Sequence, residues 1–178
     1  MREIEGIETV VEKLEPHWDK IEEHFHQENK KFKDLLAIDH DIIGRILKCH
    51  MILENYIEQY LVQTYEIEGI HNVRLSFYQK AILLPTSKSS AAFVKPGILR
   101  LNSIRNKFAH TLDFELDDNE LGIINEILVI TRQGVSFEDV ISKIEAFTTI
   151  ACTWLILTPP DLDDVFNEAF KEIRIKEL

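Results

Sequence analysis

The sequence predicts an all-α protein, a helical bundle of about six to eight helices, on three observations. Apolar residues recur at spacings of three and four along most of the chain. No stretch sustains the alternation of a half-buried strand, and only six Gly and five Pro punctuate 178 residues. A chain of this length fits one domain and buries roughly 70% of the surface its unfolded form exposes, so its core needs neither disulfide nor metal. Within that domain the pattern suggests an N-terminal helical extension (1–38), a central part (39–112) and C-terminal helices (113–178).

Ile4, Ile7, Val11, Leu14, Trp18, Ile21 and Phe25 step by three and four, and Phe32 and Leu35 resume the series. Pro16 is tolerated in the first turn of a helix, so two helices or one kinked helix are expected, about 2–15 and 16–37. Their stripe is read as core inside the chain, with an oligomer seam as the alternative. Asp39 or Asp41 caps a long helix to about Thr64, marked by Ile43, Ile46, Leu47, Leu53, Ile57, Tyr60 and Leu61. A short helix at 74–84 follows. Pro85 and TSKSS then form the longest loop, and Lys95-Pro96-Gly97 punctuates the entrance to a helix at 97–112.

Asp117 and Asp118 cap a helix of 119–132, which Gly134 ends. Ser136 with Asp139 resembles a capping box opening a helix through Leu157, stopped by Pro159-Pro160. A final amphipathic helix, 161–176, presents Leu162, Val165, Phe166, Ala169, Phe170 and Ile173. Tyr60, Tyr65, Phe77 and Tyr78 fall among helical apolar positions and are read as core rather than as a base-stacking platform.

Charge and cysteine usage narrow the functional classes. The net charge of −11 repels polyanions and opposes avid, sequence-blind nucleic-acid binding. It leaves room for a small basic site from Lys95, Arg100, Arg105 and Lys107, which cluster in one stretch. Cys49 and Cys152 lack any CxxC partner and read as free buried thiols in a reducing cytosol, so a cytoplasmic location is expected. The early glutamates do not fit a signal peptide, and no apolar run reaches the 18 or so residues of a membrane span, so no membrane partner is expected.

The chemistry concentrates in Arg105-Asn-Lys-Phe-Ala-His110. At about 100° per residue, Leu101, Ile104, Phe108 and Leu112 share one side of their helix, which must face the core. His110 projects about 180° from Leu101, with Asn106 and Ser103 within roughly 40° of it. Asn106 and His110 are one turn apart and can touch. Arg105 lies about 140° from His110 and reaches it only through its long side chain or from a second subunit. A twofold-related pair of such helices would bring both copies into one cleft, which ties activity to a homodimer.

RNKFAH resembles the Arg-x(4–6)-His signature of HEPN domains, in the form with Asn after Arg and Ala before His. The preceding long helix (ILKCHMILENYIEQYL), the FYQKAILL helix and the proline-containing loop are similar to that family as well, over about residues 39–112. The resemblance implies a helical bundle that often dimerises, and a metal-independent endoribonuclease of prokaryotic defence, toxin or RNA-processing character that takes RNA as a transient partner. Carried over by position, Arg105 and His110 are the catalytic pair and Asn106 supports them. A near-neutral imidazole can move the ribose 2′-hydroxyl proton or protonate the leaving oxygen, and a guanidinium can stabilise the charged transition state, leaving a 2′,3′-cyclic phosphate and requiring no cofactor or metal. The subgroup paired with a nucleotidyltransferase antitoxin carries a Tyr two residues after the His. Leu112 stands there instead, so the chain is more similar to stand-alone, defence-associated or mannitol-operon-repressor-like members.

Plainer readings stand beside these. His110 can simply favour the helix dipole and Arg105 be an ordinary ion-pair partner. His50 can be a core histidine hydrogen-bonded to Glu54, or His50, Glu54 and Asn55 can form the polar wall of the cleft and orient His110, with Ser103 beside it. His17, His24 and His26 lack further ligands at fixed spacing and read as a solvated face, with no metal site. Acidic pairs such as Asp117-Asp118 and the run of Asp161 to Asp164 fit helix starts. The rival functions are a catalytically silent HEPN module that dimerises and regulates transcription or another protein, an antitoxin among its conceivable partners, and a nucleotide-binding protein using the same cleft.

Overall fold

The computed structural model describes residues 7–23, 40–66, 69, 73–111, 114–156 and 162–175. Its helices are α1 (Ile7–Leu14), α2 (His40–Tyr65), α3 (Phe77–Leu83), α4 (Ser90–His110), α5 (Ile123–Thr131), α6 (Val140–Leu155) and α7 (Asp163–Ala169), with 3₁₀ turns at Glu15–His17 and Asp118–Glu120. No strand occurs among the described residues, so the protein is the all-α bundle that the periodicity predicts. The backbone divides into two compact units, 1–39 and 40–178.

In the first unit, Pro16 sits inside the Glu15–His17 turn, and the backbone is helical again over 18–23. Leu14 and Trp18, expected in a core stripe, are exposed. Ile21 of the same stripe is half-buried, and the stripe from Phe25 onward lies outside the described residues, as does Asp39.

The second unit is built on α2, whose Ile46, Leu53, Ile57 and Leu61 are fully buried and whose Leu47 is exposed. Helix α3 starts at a full capping box: Ser76 Oγ accepts from the Gln79 amide at 3.3 Å, and Gln79 Oε1 accepts from the Ser76 amide at 2.8 Å. At its other end Lys95, buried in α4, donates to the carbonyls of Ile82 (2.7 Å) and Leu84 (2.6 Å), supplying donors that the helix terminus lacks.

The motif helix begins seven residues earlier than expected. Ser89 caps it, accepting from the Ala92 amide at 3.1 Å, and Pro96 lies inside it. Lys95-Pro96-Gly97 is therefore a packing feature, not a boundary. A Cβ on Gly97 would stand 2.4 Å from Phe147 Cε2 and 3.0 Å from Ile127 Cδ1, so only glycine lets α4 approach α6 this closely.

Gly122, at φ +51°, splits the expected 119–132 helix into the 3₁₀ turn and α5. Asp117 caps the turn, accepting from the Glu120 amide at 3.1 Å, while Asp118 pairs with Lys143. Asp139, not Ser136, caps α6, accepting from the Ser142 amide at 2.6 Å. Arg45 of α2 and Glu145 of α6 meet in a two-pronged pair, both bonds 2.9 Å. Solvent screens a half-exposed pair of this kind, so it sets register more than stability.

The last helix is also shorter than expected. It stops at Ala169, after which residues 173–175 run extended against the loop before α4, with Lys88 N donating to Ile173 O and Ile175 N to Thr86 O, both 3.0 Å. Phe166 and Phe170 pack their rings around Trp154 at 6.2 and 5.2 Å. Of the four aromatics expected in the core, Tyr60 and Phe77 are buried, and Tyr65 and Tyr78 are exposed.

Candidate functional site

The final turns of α4 carry the hexapeptide. Leu101 and Ile104 are fully buried and Phe108 half-buried, as the helical spacing demands, and Leu112 lies outside the described residues. Phe108 meets Phe114 edge-on at 4.8 Å, which anchors the end of the helix.

Arg105 and Asn106 touch: Arg105 Nη1 donates to Asn106 Oδ1 at 3.2 Å. Arg105 also borders a small cavity of about 170 Å³ between α2 and α4, lined by Ile43, Ile46, Leu47, Phe108 and Ala109. Its Nε is buried without an acceptor, an arrangement that costs free energy unless something else supplies an oxygen. His110 is exposed in the last turn of α4, and no hydrogen bond or ion pair engages its imidazole among the described residues. Within one chain Arg105 faces α2 while His110 faces outward, so no contact joins them.

The supporting residues scatter. His50 is 8% exposed, stacked on Phe77 with ring centroids 3.8 Å apart. Its Nε2 lies 3.2 Å from Asn102 Oδ1, so its partner is Asn102 and not Glu54. Burial holds the imidazole below its ordinary value, and the nearby Arg105 charge adds to this against the hydrogen bond to Asn102. A neutral ring donates from Nε2 to the amide oxygen.

Glu54 instead holds Lys80, at 2.6 Å, together with Glu58. Burial alone would lower the Lys80 value, but the two carboxylates outweigh it and raise it. Asn55 accepts from Gln59 along α2. Ser103 lies on the flank of α4 away from His50, in the wall of a different cavity and two turns before His110. His50, Glu54, Asn55 and Ser103 therefore do not form one polar wall around His110.

The expected basic cluster is also dispersed. Lys95 is buried against carbonyl groups. Arg100 (3.1 Å) and Lys107 (2.6 Å) share the Glu120 carboxylate, and Arg100 Nε donates to the Glu120 carbonyl at 2.6 Å. Two partners escaped the sequence reading. Asn102 is separated from His50 by 52 residues, and Glu120 meets Arg100 and Lys107 only because the chain returns along α4 after His110. Neither signal is local, although the i, i+3 placement of Asn102 and Arg105 puts both on the flank of α4 that faces α2.

Among the described residues no group of three or more His, Cys, Asp or Glu could hold a metal ion, and no helix is long and apolar enough to cross a membrane. No family model matches the chain, and no curated protein or solved structure matches it.

Proposed function

We propose that the chain is a HEPN-type endoribonuclease working as a homodimer without metal, in prokaryotic defence, toxin action or RNA processing. One observation carries the reading: the last turns of α4 present an Arg105–Asn106 pair with a buried guanidinium Nε lacking an acceptor, followed by an exposed imidazole that no other described residue engages. Polar groups spent on stability are normally paired, so unengaged ones within two turns of one helix fit a site awaiting substrate.

In this reading the His110 of one subunit takes the 2′-hydroxyl proton or delivers one to the 5′-leaving oxygen, as the 2′-oxygen attacks phosphorus. Arg105, oriented by Asn106, stabilises the extra negative charge on the phosphoryl oxygens. Because Arg105 and His110 face different ways within one chain, their cooperation calls for the second copy.

A second reading is favoured by Glu120, whose carboxylate occupies Arg100 and Lys107 and leaves little free positive charge for RNA. It is a catalytically silent module that dimerises and regulates a nucleic acid or protein partner. The deciding experiment is cleavage of a mixed-sequence single-stranded RNA at low salt with EDTA, by wild type and His110→Ala. Cyclic-phosphate ends made by wild type and lost at least about a hundredfold in the variant, with an unchanged melting temperature, are expected of the nuclease. Intact RNA with both proteins would move the assignment to the silent module.

A further inference from the structure

A cavity of about 930 Å³ lies between α4, α5 and the extended segment 173–175, within the 300–1,000 Å³ range of small-molecule sites. Its walls are mostly apolar: Phe93, Pro96 and Leu99 from α4, Ile123 and Ile127 from α5, and Ile175 from the tail. Along α4 it runs from Ala92 to Ser103, about 16 Å at 1.5 Å per residue.

Its shape and charges select an occupant. Its length and mostly apolar walls suit an extended apolar chain lying along α4. Gly122 beside Arg100 fixes one end of the cavity, and there Arg100 already donates to Glu120. The tail's hydrogen bonds to residues 86 and 88 place Arg174 at the opposite end, by the start of α4, where no carboxylate among the described residues pairs with it. Glu126 stands on the α5 wall between these ends and opposes a second negative charge along the ligand. A nucleotide or RNA strand, anionic along its length, is thereby disfavoured.

We propose that this cavity binds a small amphipathic monocarboxylate, its extended apolar chain lying along α4 between Pro96 and Ile127 and its single carboxylate meeting Arg174. The site is independent of the nuclease reading and stands or falls without it.

The test is calorimetric titration of the 178-residue protein with dodecanoate below its micelle concentration, with dodecan-1-ol and dodecylammonium as controls. One-to-one saturable binding of dodecanoate is expected. Arg174→Gln should weaken dodecanoate about threefold to tenfold and leave dodecan-1-ol unchanged, since it removes one charge-assisted hydrogen bond and no apolar wall. Leu99→Trp, which fills the cavity, and Ile130→Glu, at an exposed position on its rim, should each weaken both ligands by about tenfold or more. Circular dichroism melts establish that each variant is folded, and the exposed position of Ile130 provides a variant that leaves the core intact. Absence of saturable dodecanoate binding, or equal binding by wild type and folded Ile130→Glu, overturns the site. Tighter binding of dodecylammonium than of dodecanoate overturns the carboxylate assignment.

Discussion

His50 shows how one buried side chain couples stability to pH. Its imidazole is stacked on Phe77, and burial holds its pKa below the ordinary 6.5. The unfolded chain then binds a proton that the folded chain refuses, so the stabilisation is complete above about pH 6.5 and is lost as pH falls through the lowered folded value. Urea unfolding between pH 7.5 and 5 should show wild type losing stability with falling pH more steeply than His50→Gln; parallel slopes would remove His50 from the account. Asp139 and Glu145, whose carboxyl groups are held low by hydrogen bonds from Ser142 and Arg45, act in a separate window below their ordinary 3.8 and 4.5. The sequence places His50 on an apolar stripe and so anticipates its burial. It does not reveal Asn102, because a partner 52 residues away is set by how α2 and α4 cross, not by local spacing.

At the scale of elements, a long periodic stripe makes a helix legible even where its cap is ambiguous. The α2 stripe, with Leu53, Ile57 and Leu61 buried, is such a case, although Asp41, expected as a cap, lies inside the first turn. Misreadings fall where a residue type has two physical uses. Pro96 and Gly97 look like a helix entrance, yet α4 tolerates the proline, and the glycine serves close approach to α6. Ser136 and Asp139 offer alternative caps for α6, and only the geometry decides for Asp139. Gly97→Ala should cost about 1–3 kcal/mol through overpacking, because the fully buried Phe147 ring must shift to admit the methyl group. A lowered urea midpoint at unchanged slope is the expected result, and an unchanged midpoint would mean that the ring moves aside freely.

At the scale of the whole molecule, a net charge of −11 is reinforced by the way cations are spent. Arg100 and Lys107 are tied to Glu120, Lys80 to Glu54 and Glu58, and Arg45 to Glu145. The sequence shows that cations and motif share one stretch, but their neutralisation depends on a chain reversal it does not announce. Glu120→Gln should release Arg100 and Lys107 and tighten binding of a short single-stranded RNA. The slope of log affinity against log salt should steepen by about 1, the value expected when one or two further phosphates are contacted. Salt titrations that superimpose for the two proteins would show that this flank meets no polyanion.

The short pairing of residues 173–175 with 86–88 also carries a kinetic consequence. It joins positions almost ninety residues apart through an isolated bridge, Ser87 with Arg174, and a few backbone hydrogen bonds. Closing so long a loop costs entropy that so few bonds barely offset, so the tail should dock after the helices have assembled and detach before they melt. In native-state hydrogen exchange, the amides of Lys88 and Ile175 should open together and well below the free energy of global unfolding, while Leu53 and Ile57 exchange only with the whole fold. The apolar cavity would then breathe at one wall without disturbing the α2–α6 core.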